Sequence, residues 1–147
     1  QVTKWLVVHE MSLYESMAVI DGFFYITSHR NRGAAFGILQ NQQWLFISIT
    51  IFVVIFLLYY LWKMRYGSRW LSSALALILG GALGNLTDRI YRGEVVDFFH
   101  FQFGSYHYPI FNVADSAIFV GVVIFLLFTL KEPHPSKDEQ VSKLEDS

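Results

Sequence analysis

The chain has 147 residues, of which 54% are hydrophobic, and a formal net charge of −1. This composition favours an integral membrane protein over a soluble domain, and it gives no reason to expect a nucleic-acid partner. The chain contains no cysteine, which excludes disulfides, a thiolate nucleophile and cysteine-ligated metal centres.

The first part of the chain contains apolar runs that are too short to cross a bilayer. WLVV and MAVIDGFFYIT lie within residues 5–30, and they predict strands or a half-buried interfacial layer. SHRNRGAAFGIL follows, in which small residues allow close backbone approach. On this pattern alone, the simplest interpretation is a loop re-entering the membrane, with Arg30 and Arg32 at the lipid headgroups. QVTKWLVVHE at the start does not have the pattern of a signal peptide.

Three later segments are apolar enough and long enough to span a hydrocarbon core of about 30 Å. They cover residues 44–62, 70–86 and 111–130. The first carries no charge and has tryptophan at both ends, as expected where indole rings lie at the two membrane interfaces. The second is rich in Gly, Ala and Ser, which favours close packing against other helices.

Charge in the short loop between the first two spans predicts the topology. Lys63, Arg65 and Arg69 lie there without an acidic residue, which is typical of a cytoplasmic loop. Segments 1–43 and 88–110 are then outside the cell. The segment 131–147 lies in the cytoplasm, and its mixed charge and two prolines predict disorder.

Polar residues gather where the second and third spans reach the outer face. Asp115 lies about 6 Å inside the third span, where a carboxylate needs protein or water partners. Asn85 and Arg89 are four residues apart at the end of the second span, and Asn112 is three residues before Asp115. Asp97 lies in the segment that joins the two spans, so all five side chains are predicted to converge.

Each of these residues also has a structural explanation. Asn112 and Asp115 have the spacing of a helix N-cap and its N3 acid. Arg89 can anchor a helix end, with Asp88 as a solvated companion, and Asp97 can be a turn acid. Taken together, two carboxylates beside an apolar wall have the components of an acid–base pair, which is aspartic protease chemistry.

Other chemistries fit the sequence less well. His9 and Glu10 resemble the start of HExxH, but Leu13 occupies the position of the second histidine. No serine lies in a GxSxG elbow, and His100 and His107 are interpreted as interfacial side chains. Two further classes remain open: a proton-coupled carrier that uses the same aspartates, and a structural subunit in which the polar cluster only sets helix register.

The whole chain resembles a known family, the bacterial lipoprotein signal peptidases, also called signal peptidase II. Five ordered blocks carry the resemblance: QVTK at 1–4, NRGAAFGIL at 31–39, GGALGNLTDRI at 80–90, GEVVDFF at 93–99 and FNVADSAIFVG at 111–121. The resemblance implies a helical membrane bundle with a small extracytoplasmic β-rich platform, in one domain over residues 1–147. Members have four transmembrane helices; three are found here. The chain begins at Gln1, just after the position of the acid in the family's D-Q-x-x-K motif, so a first helix and its aspartate are expected to be missing.

The resemblance also implies a function and a set of site residues. Members are aspartyl proteases of the bacterial cytoplasmic membrane that act near its outer face, without metal or cofactor. They cleave prolipoproteins before a cysteine that carries a diacylglyceryl group, so membrane lipid and modified precursors are the implied partners, and we expect a monomer. The catalytic pair falls on Asp97 and Asp115. Supporting or substrate-binding positions fall on Lys4, Asn31, Gly33, Asn85, Arg89 and Asn112.

Overall fold

A computed structural model gives the fold and describes residues 1–33, 39–64 and 67–131. The elements are, in chain order, α1 (Val2–Glu10), β1 (Ser16–Ile20), β2 (Phe24–Asn31), α2 (Gln43–Lys63), α3 (Arg69–Arg92), β3 (Val95–Phe103), β4 (Tyr106–His107) and α4 (Val113–Lys131). Three sequence predictions fall outside the described residues: the small residues of the 34–38 segment, Arg65 of the basic loop, and the disordered tail beyond Lys131.

Helices α2, α3 and α4 are long and apolar enough to cross a membrane, with lengths of 21, 24 and 19 residues. The prediction of three membrane helices with a small β-sheet is therefore confirmed. Helix α3, the second of the three predicted spans, continues past Leu86 to Arg92. It is capped by Gly93, whose φ of 76° lies in the left-handed region that favours glycine. Most of the large apolar side chains of α2 and α4 are exposed, among them Phe52 and Phe119, so these faces are suited to lipid.

Helix α3 packs between the other two membrane helices, and small residues bring its backbone against α4. A Cβ atom added at Gly121 of α4 would lie 2.7 Å from the carbonyl oxygen of Ala74 and 2.7 Å from Cγ1 of Ile78. Gly81 of α3 faces Ala114 in the same way. Because these contacts leave no room for a side chain, α4 from Ala114 to Gly121 packs closely against α3 from Gly81 back to Ala74.

The four strands form one antiparallel sheet in the order β1-β2-β3-β4. Strands β1 and β2 confirm the strand prediction for the later part of residues 5–30. For residues 5–10 that prediction is wrong, because they belong to α1. Lys4 and Val7 are three residues apart on one face of this helix and are both buried, so tertiary contacts rather than strand propensity decide its structure.

Strand β3 connects the sheet to the rest of the molecule. Val96 and Phe98 pack with Val7 of α1 in one hydrophobic cluster. Side chains alternate between the two faces of a strand, so Asp97 is directed away from this cluster. The sequence placed Asp97 in an irregular segment; the structure places it in a strand, opposite His29 of β2.

Candidate active site

A cavity of about 560 Å³ lies where the ends of α3, β3 and α4 meet. Its polar lining consists of Asn31, Gly33, Asn85, Arg89, Asp97, Asp115 and Ser116. Its apolar lining includes Val95, Phe101, Phe103, Tyr108, Pro109, Ile110, Phe111, Phe119 and Val120. Val96 and Phe98 lie in the core, and most of the apolar wall comes from Tyr108 and the residues that follow it.

Asp97 is the more enclosed of the two predicted catalytic carboxylates, with 2% of its surface exposed. Its Oδ1 accepts a hydrogen bond from Nδ2 of Asn112 at 2.6 Å, and its Oδ2 accepts one from Nδ2 of Asn31 at 3.0 Å. Burial, followed by the charge of Asp115, raises the pKa of Asp97 from 3.8 to about 6, although the two amides and Lys4 act in the opposite direction.

Asp115 lies in the first turn of α4 and forms a reciprocal cap with Asn112. Oδ1 of Asn112 accepts hydrogen bonds from the backbone N–H groups of Ala114 and Asp115, at 2.7 and 3.2 Å. The backbone N–H of Asn112 donates to Oδ2 of Asp115 at 3.0 Å. The structural explanation of this pair is thus correct, but it accounts for only part of the bonding, because Nδ2 of Asn85 also donates to Oδ1 of Asp115 at 2.7 Å.

Asn112 joins the two carboxylates. Its side chain is fully buried, and its Nδ2 donates to Asp97 and, at 3.2 Å, to Oδ1 of Asn85. Its backbone N–H donates to Asp115. One residue therefore bonds both acids, and the helix cap that fixes Asn112 also sets the position of each carboxylate relative to the other.

The other cavity residues predicted from the sequence are held by local contacts. Arg89 interacts electrostatically with both Asp97 and Asp115, and its guanidinium carbon lies 5.1 Å from the ring centroid of Phe46. Asn31 accepts a hydrogen bond from the backbone N–H of Gly33 at 2.9 Å, which leaves its Nδ2 free to face Asp97. Of the five side chains predicted to converge, four are joined by hydrogen bonds (Asn85, Asp97, Asn112 and Asp115), and Arg89 interacts electrostatically with the two acids.

Lys4 and Asp88 lie beneath the cavity rather than on its wall. Nζ of Lys4 donates to Oδ2 of Asp88 at 2.6 Å and to Oδ1 of Asn85 at 2.7 Å. The interpretation of Asp88 as a solvated companion of Arg89 is wrong, because Asp88 is only 1% exposed. Its spacing, three residues after Asn85, puts both side chains on one face of α3, but its burial depends on the contact with Lys4 of α1.

Two histidines on the sheet bond to each other away from the carboxylates. Nε2 of His100 lies 3.1 Å from Nδ1 of His107, and Nδ1 of His100 lies 3.0 Å from the hydroxyl of Thr27. They belong to β3 and β4. Neither residue lines the cavity.

Three membrane helices, a sheet and a cavity with two linked acids define a helical membrane protein with a paired-carboxylate site. The chain belongs to the signal peptidase II family: the family model Peptidase_A8, described as signal peptidase (SPase) II, matches residues 1–131. It is accordingly a peptidase of this family.

Curated relatives and solved structures agree with this assignment. The lipoprotein signal peptidase of Bacillus pumilus (strain SAFR-032) is 56% identical over 138 residues, which cover 94% of this chain and 89% of the relative. That of Halalkalibacterium halodurans (strain C-125) is 54% identical over 140 residues, or 95% and 90% of the two chains. A bacterial membrane enzyme solved by the in meso method at 2.3 Å resolution is 40% identical, with a TM-score of 0.82 over 92% of this chain and 87% of that one.

Proposed function

We propose that this peptidase is an intramembrane aspartic endopeptidase that removes signal peptides from diacylglyceryl-modified prolipoproteins, cleaving before the lipidated cysteine. The observation that carries the proposal is that Asp97 and Asp115 both line one cavity and both accept hydrogen bonds from one buried residue, Asn112. The family assignment supports cleavage of lipoprotein signal peptides. The diacylglyceryl group on the substrate is inferred from the resemblance of the five sequence blocks to the lipoprotein signal peptidases.

In the proposed reaction, the two carboxylates share one proton. Because the pKa of Asp97 is raised to about 6, Asp97 is the better candidate to hold that proton, and Asp115 acts as the base. A water molecule attacks the scissile carbonyl carbon and gives a proton to Asp115, while Asp97 protonates the carbonyl oxygen. When the diol collapses, its hydroxyl proton returns to Asp97, Asp115 protonates the leaving nitrogen, and the C–N bond breaks.

The cavity wall suits a substrate that already lies in the bilayer. Phe119 and Val120 belong to α4, where they are both exposed and part of the lining, so the cavity is continuous with the lipid-facing surface of that helix. Phe101 and Phe103 of β3 provide further apolar surface. Acyl chains and a signal-peptide helix can therefore reach the carboxylates sideways, without passing through water.

The membrane orientation follows from charge at the two ends of the helices. The carboxylates lie near the C-terminus of α3 and the N-terminus of α4, and the connection at the other end of α3 is flanked by Lys63 of α2 and Arg69 of α3. The positive-inside rule places that connection in the cytoplasm. The site and the sheet are then at the outer face of the bacterial cytoplasmic membrane. One chain supplies both carboxylates, so we propose that a monomer is active.

The proposed function can be tested with a matched pair of precursors. The protein in lipid vesicles is given one prolipoprotein with and without the diacylglyceryl group, and products are identified by mass spectrometry. We expect cleavage of the modified precursor immediately before the lipidated cysteine, and little cleavage of the unmodified one. Equal cleavage of both forms, or cleavage at another bond, would contradict the proposal. Ion flux through the vesicles without proteolysis would indicate a carrier.

A further inference from the structure

Below the cavity, α1 and α3 are joined by a buried ion pair that the proposed reaction does not use. Lys4 is 2% exposed and Asp88 is 1% exposed, and neither side chain lines the cavity. Buried ion pairs contribute little net stability, because desolvation of the two charges offsets their attraction. The role of this pair is therefore to be found in the neighbouring groups that it contacts, and not in its contribution to the free energy of folding.

One set of contacts leads to Asp115. Oδ1 of Asn85 accepts hydrogen bonds from Nζ of Lys4 at 2.7 Å and from Nδ2 of Asn112 at 3.2 Å. An amide has one acceptor oxygen and one donor nitrogen, so two donors at the oxygen fix which way the amide faces. Nδ2 of Asn85 must then be directed at Asp115, to which it donates at 2.7 Å.

A second contact leads to Asp97. Oδ2 of Asp88, the oxygen that accepts from Lys4, also accepts a hydrogen bond from the backbone N–H of Val96 at 3.2 Å. Val96 immediately precedes Asp97 in β3. Asp88 thus holds the strand at the residue before one candidate catalytic acid, and through Lys4 and Asn85 it orients a hydrogen-bond donor to the other.

We propose that Asp88, together with Lys4, is a positioning residue that sets the relative placement of Asp97 and Asp115 through two hydrogen-bonded paths, one to each acid. This inference rests on the proposed function. It assigns Asp88 no contact with substrate, because its side chain lies outside the cavity. It predicts that loss of the pair affects the chemical step more than substrate binding or folding.

The test uses the double variant Lys4→Met/Asp88→Leu in the full chain. The apolar pair leaves no unpaired buried charge, although the buried N–H of Val96 loses an acceptor, so we expect only a modest fall in the melting temperature. We expect kcat to fall about 10- to 100-fold, the range typical of residues that orient a site through another group, with KM changed less than about twofold. An isotope-edited infrared titration of Asp97 gives a second readout without substrate. The positive charge of Lys4 lowers the pKa of Asp97. Removing that charge should therefore move the titration of Asp97 to higher pH.

Asp88→Asn serves as the conservative comparison, since its amide oxygen can still accept from Val96 and Lys4. We expect it to retain more kcat than the double variant. The matched control is Glu94→Gln, which changes a nearby acid that pairs with Arg32 at 3.0 Å and has no bond to either path. This control should keep the kcat and the Asp97 titration of the parent.

A double variant with the kcat and Asp97 titration of the parent would overturn the positioning role. An equal loss of kcat in Asp88→Asn and in the double variant would also overturn the positioning role. If the parent itself fails to cleave the modified precursor, the proposed function fails. The infrared titration then still decides whether Lys4 and Asp88 affect the pKa of Asp97.

Discussion

Replacement of either Asp97 or Asp115 by asparagine is expected to lower the rate of precursor cleavage by about 10³-fold, within the range attributed to general acid–base groups. An asparagine of nearly the same size can keep part of the bonding around Asn112, but it can neither release nor accept a proton at the reacting atoms. The loss should therefore appear in kcat, with substrate binding largely retained. Cleavage of the diacylglyceryl-modified precursor in vesicles gives the measurement.

The matched control is Asp21→Asn. Asp21 is an exposed acid at the turn between β1 and β2, where it accepts a hydrogen bond from the Tyr25 hydroxyl at 3.2 Å, and it does not line the cavity. This variant should cleave at the parental rate. Parental cleavage by a folded Asp97→Asn or Asp115→Asn protein would show that the pair is not the catalytic pair.

Replacement of Asn112 by alanine is the second prediction with a large effect, because it removes three functions at once. The variant loses the N-cap of α4, which is typically worth about 1 kcal/mol. It also loses the 2.6 Å donor to Asp97 and the donor to Asn85. We expect both a lower melting temperature and a loss of cleavage of about 10²-fold or more, in the range of a displaced catalytic group.

The variant Asn112→Ser separates these contributions. Serine is a good N-cap residue, so the start of α4 should be retained, but its side chain has no amide to bridge Asp97 and Asn85. We expect stability closer to that of the parent than in Asn112→Ala, with cleavage still strongly reduced. A Ser variant with full activity would show that Asn112 only caps the helix, and its proposed role in joining the acids would be wrong.

The membrane helices and the polar cluster could be predicted because local sequence spacing determines them. Runs of about 20 apolar residues specify the spans. Asn85 with Arg89, and Asn112 with Asp115, are neighbours in local spacing, and the connection that leaves the end of α3 and enters the start of α4 brings both pairs to one end of the bundle. The cap formed by Asn112 and Asp115 was likewise visible in the sequence.

Features that depend on distant contacts could not be predicted from spacing. The segment WLVV has strand-like residues, yet it is helical because Lys4 reaches Asp88 and Val7 packs on β3. The burial of Asp88 follows from the same helix, 84 residues away in the chain. Lys4, Asn31 and Gly33 entered the set of site residues only through the resemblance to a family, since no local pattern connects them to the two acids.

The most direct test of the central claim is an infrared titration of isotope-labelled aspartate carboxyl groups in the full chain. Because burial and the charge of Asp115 raise the pKa of Asp97, its proton should be lost near pH 6 instead of near pH 3.8. The protonated-carboxyl band should vanish in Asp97→Asn, and in Asp115→Asn it should titrate at lower pH because the neighbouring charge is gone. A band that is unchanged in both variants would contradict the shared-proton account.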